Sequence, residues 1–321
     1  MRTLVLHPGA LGDVLLALPA LGALRRAEPG AGITLACAPA LPGPMLTAYA
    51  DRVLPLSAFP LHRLHGPDPP TEPDIRFWES YDRVVSWTGA ANDDFVRNLR
   101  SIHPDARIAP WRPAPGEARH VSRLFIDSLS LGPEPTEAPP AVRIHPDGAS
   151  LEEGGRWLRE QGWEGQGALG MLHPGAGSPG KRWPPGNFIG LARRLACRND
   201  LGLILMEGPA EEGLALGVAA SLPAAACLPC VGLPLGPLAG VLGRCRFFVG
   251  NDSGVTHLAA ALGVPTVALF GPTAPEQWAP LGESVTVLRE GSGRLEDITV
   301  DAVLEAIGNQ PAKAPRSSQV L

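Results

Sequence analysis

Residues 171–185 read MLHPGAGSPGKRWPP, and they close an apolar run that predicts a buried strand ending in a glycine-rich turn. Gly175, Gly177 and Gly180 are expected to take positive φ and bring backbone N–H groups close to a ligand, while Lys181 and Arg182 add fixed positive charge. The stretch therefore reads as an anion cradle. Gly175 to Lys181 also fits the GxxxxGK of a P-loop, but Arg182 stands where the magnesium-binding Ser or Thr belongs, and Pro184 with Pro185 should block the helix that begins there. The same residues fit GxGxxG, with Glu207 ending the next apolar run, as an NAD(P)-binding oxidoreductase requires. In that motif the helix opens among the glycines, whereas here helical spacing resumes only near Asn187. The third reading is a loop gripping the diphosphate of a nucleotide sugar.

On both sides of this stretch, short apolar strands alternate with helical patterns. The first half predicts strands at 3–6, 33–36, 52–56 and 83–86, with helices at 14–26, 41–50, 92–101 and 119–131. Residues 57–75, rich in Pro and His, predict a surface loop, and the prolines of 132–140 mark a junction. A second alternation follows, with helices at 151–161, 188–198, 211–222, 235–244, 255–262 and 300–307. Its strands are 169–172, 201–206, a short one near Cys230, 247–249 and 266–270. Such alternation implies an α/β chain with parallel sheets covered on both faces. LVLHPGA at 4–10 is echoed by MLHPGA at 171–176, each after the first strand of its half. The expectation is two doubly wound, Rossmann-like domains facing a central cleft: 1–150, 151–310, and a tail at 311–321.

Composition narrows the classes. With 45% hydrophobic and 18% charged residues the chain of 321 is globular, and a net charge of −5 leaves no basic excess for general nucleic-acid binding. Five cysteines, an odd number set in apolar runs, point to reduced thiols of a cytosolic protein, and the lone Cys227-x-x-Cys230 lacks the second pair a zinc site needs. Pro8, Gly9, Gly12 and Asp13 interrupt the N-terminal apolar stretch, so no signal peptide is expected. No transmembrane segment is expected either.

A second motif is GNDSGVTHLAAALGVPTVALFGPTAPEQWAP at 250–280. Asp252 and Ser253 precede a small-residue helix and can cap it, and the N–H groups of Ser253, Gly254 and Val255 can face an anion. His257 lies one turn further in, on a face able to look back at the ligand. Taken in order, LGD at 11–13, HPGAGSPGKRWP at 173–184 and DSGVTHLAAALGVPTVALFGPT at 252–273 resemble glycosyltransferase family 9, the bacterial heptosyltransferases of lipopolysaccharide core assembly.

That resemblance implies a GT-B fold whose N-terminal half binds the acceptor and whose C-terminal half binds a nucleotide sugar, usually ADP-heptose. It implies inversion at the anomeric carbon, no cofactor and no obligatory metal. The acceptor it implies is an acidic glycolipid met at the inner face of the inner membrane by a cytoplasmic enzyme. Asp13 corresponds to the catalytic base and Lys181 to the diphosphate contact. Glu207 falls at the nucleoside, and Asp252, Ser253, Gly254 and His257 fall around the phosphates and sugar, with Gly175 and Ser178 in the donor loop. Arg63, Arg97 and Arg123, with Arg100 and Arg119, are candidates for the phosphorylated acceptor. His7 and Pro8 occupy the first loop, where the family more often carries a basic residue, which leaves the acceptor open.

Plainer readings stand beside these. Asp13 could serve only as a first-turn helix acid, Lys181 as a solvated lysine and Glu207 as a surface carboxylate. His7 and His173 read as structural, Trp183 and Trp278 as packing residues, and adjacent Asp93 and Asp94 as helix caps rather than a metal-holding DxD. The competing functions are the oxidoreductase and a noncatalytic nucleotide-sugar-binding module.

Overall fold

The structure is a computed structural model that describes residues 1–38, 41–132, 138–165, 167–198, 200–208, 211, 213–223 and 226–310. The expected tail at 311–321 lies outside the described residues. The chain divides into two compact units, Met1–His145 and Pro146–Leu321. This junction precedes the one expected at 150 because Asp147 accepts a hydrogen bond from the Ser150 N–H and starts a helix at Gly148.

The first unit runs β1 (Arg2–His7), α1 (Leu11–Ala27), β2 (Gly32–Cys37), β3 (Arg52–Pro55), α2 (Glu72–Trp78), β4 (Arg83–Ser86), α3 (Asp93–Ile102), β5 (Arg107–Ile108) and α4 (Val121–Ser128). Its strands form one parallel sheet in the order β3-β2-β1-β4-β5. Leu4 and Leu6 of β1 pack on one face with Trp78, Phe95 and Leu99. On the other face His7 meets Trp87 and Phe125 edge-on. Two expectations fail here. The helix at 41–50 is only a 3-10 turn, Gly43–Leu46, because Pro42 and Pro44 cannot supply N–H donors to a longer ladder. The stretch 57–75 is not wholly surface: Phe59 and Leu64 enter the core, and α2 opens at Glu72 with Asp74 bonding back to the Thr71 N–H.

The second unit runs α5 (Gly148–Glu160), β6 (Ala168–His173), α6 (Pro185–Ala196), β7 (Leu201–Glu207), α7 (Leu214–Ala220), β8 (Leu228–Val231), α8 (Leu235–Leu242), β9 (Cys245–Asn251), α9 (Gly254–Ala261), β10 (Thr266–Leu269), α10 (Pro275–Trp278), β11 (Val285–Leu288) and α11 (Val300–Gly308). The sheet order is β11-β10-β9-β6-β7-β8, all parallel. The central strands are buried along most of their length, as a sheet covered on both faces requires. The chain leaves β6 towards β7 on one side and leaves β9 towards β10 on the other. The gap between β6 and β9 is therefore the topological switch point, where open α/β sheets bind ligands beyond the strand carboxyl ends. Pro185, expected to block a helix, instead begins α6, since the first helical position needs no N–H partner.

Candidate functional site

At the switch point of the second unit, Asn251 at the end of β9 binds the whole glycine loop. Its Nδ2 donates to the carbonyls of Pro174 and Gly175 at 2.9 and 3.0 Å, and its Oδ1 accepts from the Trp183 N–H at 2.8 Å. Trp183 is fully buried, donates its indole N–H to the Ile298 carbonyl and packs edge-on against Phe188, which anchors the far end of the loop. The loop is thus a fixed bracket between two core elements. Gly175, Gly177 and Gly180 do not take positive φ, contrary to expectation. At Gly175 the requirement is space: a Cβ there would lie 2.0 Å from the Glu211 carboxyl carbon.

Lys181 ends a short 3-10 turn, Pro179–Lys181, and its Nζ donates to Asp252 Oδ2 at 2.8 Å. Asp252 is partly buried, its side chain 10% exposed, with His257 Nε2 3.8 Å from its other oxygen. Burial alone would raise the Asp252 carboxyl, but His257 and Lys181 outweigh it and bring the pKa down to about 2. The carboxylate stays ionised and holds the lysine at the strand ends. Asp252 does not cap α9, and Ser253, at the capping position, makes no side-chain cap bond either. Its hydroxyl meets His173 Nδ1 at 3.2 Å and Thr256 Oγ1 at 3.1 Å, which leaves the first N–H groups of the helix, at Gly254 and Val255, uncapped.

The structure thus gathers Gly175, Lys181, Asp252, Ser253, Gly254 and His257, with Ser178 exposed at the base of the 3-10 turn. It treats Glu207 differently. Both carboxylate oxygens of this buried residue are spent on backbone, accepting from Gly213 N at 2.7 Å and Ala215 N at 2.8 Å at the start of α7. It is not a surface carboxylate: its oxygens anchor the start of α7. Four residues on, Glu211 supplies the carboxylate that reaches the glycine loop, bonded to His173 Nε2 at 2.9 Å. Burial raises its carboxyl, but bonds from His173 and the Gly208 N–H and the charge of Arg182 leave it below its ordinary value. Glu211 and Asn251 are the residues that the sequence reading missed. Asn251 stood inside a quoted motif, whereas Glu211 reads as an ordinary acid in a polar turn.

In the first unit the echo of this loop is closed tightly. His7 Nδ1 accepts from the Gly9 N–H at 3.1 Å, and Asp13 Oδ2 accepts from the Ala10 N–H at 2.8 Å. A Cβ on Gly9 would come 2.5 Å from Asp13 Cβ and 2.7 Å from His7 Cε1, so the turn admits only glycine. Asp13 is half-buried in the first turn of α1. His7 is fully buried, and desolvation lowers its pKa to about 3, so the ring is neutral. The arginines are engaged locally: Arg63 with buried Asp74, Arg97 with Asp94 and the Pro67 carbonyl, Arg123 with Asp127, and Arg119 with Glu117 and Asp127. Exposed Arg100 is the remaining one of the five. Asp93 and Asp94 lie in the first turn of α3, whose cap is Asn92. Among the described residues no cluster of His, Cys, Asp and Glu could hold a metal ion, and no helix is long and apolar enough to cross a membrane.

Residues 157–305, all within the second unit, match the model of glycosyltransferase family 9 (heptosyltransferase). Lipooligosaccharide heptosyltransferase 2 of Haemophilus influenzae is 33% identical over 38% of this chain and 36% of its own length, so this alignment spans about a third of the relative. Lipopolysaccharide heptosyltransferase 1 of Escherichia coli K12 is 24% identical over 96% of this chain and the whole of that protein. A solved structure of E. coli ADP-heptose lipopolysaccharide heptosyltransferase II superposes with a TM-score of 0.73 at 23% identity, covering 96% of this chain and 98% of the other, which shows the shared GT-B fold. Motifs, twin parallel sheets and this pattern of likeness together make the chain similar to glycosyltransferase family 9, heptosyltransferase-like in residues 157–305 and sharing the family's fold along its length.

Proposed function

We propose that the chain is an inverting glycosyltransferase that moves a sugar, heptose by the family's example, from ADP-heptose to a lipopolysaccharide core or related acidic glycolipid. The observation that carries this reading is the uncapped start of α9 beside Lys181 at the β6–β9 switch point. Backbone N–H groups and a fixed ammonium there suit a diphosphate, on which negative charge grows as the glycosyl bond breaks, so these groups favour the transition state over the ground state. Lys181 would exchange Asp252 for phosphate oxygen, and Asp252 and His257 would turn to the sugar. Asp13 would take the proton of the attacking acceptor hydroxyl, and attack opposite the departing diphosphate inverts the anomeric centre. This reading takes the reaction to need no obligatory metal and the acceptor to be met at the cytoplasmic membrane surface. Arg100, together with Arg63, Arg97 and Arg123 once their ion pairs open, would meet acceptor phosphates.

The test is a binding series of ADP-heptose against UDP and GDP sugars by thermal shift, followed by transfer to a core glycolipid. ADP-heptose should give the largest stabilisation, and Asp13→Ala should lower kcat by roughly 10²-fold or more with donor affinity nearly unchanged. A fully active Asp13→Ala enzyme overturns the base assignment. Donor binding without transfer to any acceptor points to a noncatalytic module. The oxidoreductase reading is disfavoured because α6 begins at Pro185, beyond the GxGxxG glycines, so its N–H groups do not belong to that motif.

A further inference from the structure

We propose that His173, fixed by Glu211, is a positioning residue that delivers a proton through Ser253 to the diphosphate leaving group. The inference rests on the glycosyltransferase reading above, and it assigns a task to a buried ionisable pair which that reading leaves idle.

His173 is the last residue of β6 and Glu211 follows β7, and both are over nine-tenths buried. A buried ion pair is a poor way to gain stability, because desolvation consumes most of the Coulombic attraction. The surrounding chain nevertheless accommodates it: Gly175 lacks the Cβ that would strike Glu211, and the Gly208 N–H donates to Glu211 Oε2 at 2.9 Å. Ser253, a residue type suited to capping α9, turns its hydroxyl instead to the His173 ring.

Counting protons along this chain of bonds fixes its direction. Thr256 Oγ1 gives its one proton to the Asn251 carbonyl at 2.5 Å. The 3.1 Å contact between Ser253 and Thr256 is then a hydrogen bond only if Ser253 donates. With that proton spent, the 3.2 Å contact to His173 is a bond only if Nδ1 carries a proton. Ionised Glu211 can only accept, so Nε2 carries a proton too. Every link is satisfied when the ring is an imidazolium, held by the Glu211 carboxylate. The other charges nearby are Arg182, which faces Glu211, and the Lys181–Asp252–His257 group next to Ser253.

In the reaction, the glycosyl carbon–oxygen bond breaks and its electron pair stays on the diphosphate oxygen. Ser253 swings its O–H from Thr256 to that oxygen and receives the Nδ1 proton in return, leaving a neutral ring bonded through Nε2 to Glu211. The acceptor loses one proton to Asp13 and the leaving group gains one from the relay, so the count balances, and solvent restores the ring as the product departs. His173 and Glu211 act through Ser253, the one member of the relay that touches the diphosphate.

The test uses the full chain, with ADP as the probe. Nitrogen-15 NMR of the histidine rings, with His173→Gln supplying the assignment, should show both His173 nitrogens protonated at pH 7.5 in the ligand-free protein, and one proton missing in Glu211→Gln. Glu211→Gln should lower kcat for transfer by about 10²-fold while ADP affinity changes less than about twofold. Adding it to Ser253→Ala should cost no further rate, since the two act in series. A neutral His173 ring with transfer intact removes the relay alone, as does unchanged kcat in Glu211→Gln. Absence of any transfer by the wild type removes the glycosyltransferase reading and the relay with it.

Discussion

Gly175 shows how much a single residue carries. Alanine there would push the Glu211 carboxylate off His173 and the Gly208 N–H, and the loss of charge-assisted bonds in a buried setting should destabilise the second unit by roughly 1.5–3 kcal/mol. Urea unfolding would measure this, and the cost of Gly175→Ala should shrink in a Glu211→Ala background, where the collision is absent. His7 gives a pH prediction. Its folded-state pKa, lowered from 6.5 to about 3 by burial, means that its contribution to stability is complete above pH 6.5 and is lost as pH falls towards 3. Over that window wild-type stability should fall by up to about 1.4 kcal/mol per pH unit on this account. His7→Gln, which does not titrate, should lose less between pH 6.5 and 4.5, read from unfolding midpoints at each pH. Lys181, Asp252 and Ser253 are legible in the chain because they stand inside motifs. Their pairing, and the choice of Glu211 over Glu207 at the glycine loop, is not legible, because two acids four residues apart at a strand end look alike until helix α7 claims one of them.

Elements follow the same division. Strands β1, β2, β4, β6, β7 and β9 are legible as apolar runs bounded by turn residues, since burial on both faces leaves little room for polar side chains. β5 and β11 escape notice: the first has two residues, and the second is only half-buried. Helix α2 is hidden in a Pro-rich stretch because its capping residues, Thr71 and Asp74, count for more than composition. Helices α5 and α8 cross backbone against backbone. A Cβ at Gly240 would lie 2.0 Å from the Ser150 carbonyl oxygen, and one at Gly154 would lie 2.7 Å from that of Pro237. Backbone cannot yield as a side chain does, so Gly240→Ala should cost roughly 1–3 kcal/mol or more, exceeding Gly186→Ala at an open helical position, as thermal unfolding of the two variants would show.

For the whole molecule, each unit has its own sheet and its own buried cluster, and the proposed donor groups all belong to the second. Residues 146–321 expressed alone should therefore unfold in one cooperative transition and bind ADP within about tenfold of the full chain's affinity, measured by calorimetric titration. Loss of all binding would show that the first unit supplies donor contacts. The sequence by itself determined the alternation of strands and helices, the α/β class, the twin halves with their echoed loops, and the stretches proposed to bind the diphosphate. These depend on local patterns: hydrophobic period, turn residues and motif spacing. Only the tertiary structure decided that β6 and β9 are neighbours, and with that the meeting of Lys181 with Asp252 and of His173 with Glu211 and Ser253. Strand order is set by how helices cover the two faces of a sheet, a long-range packing choice that no window along the chain records.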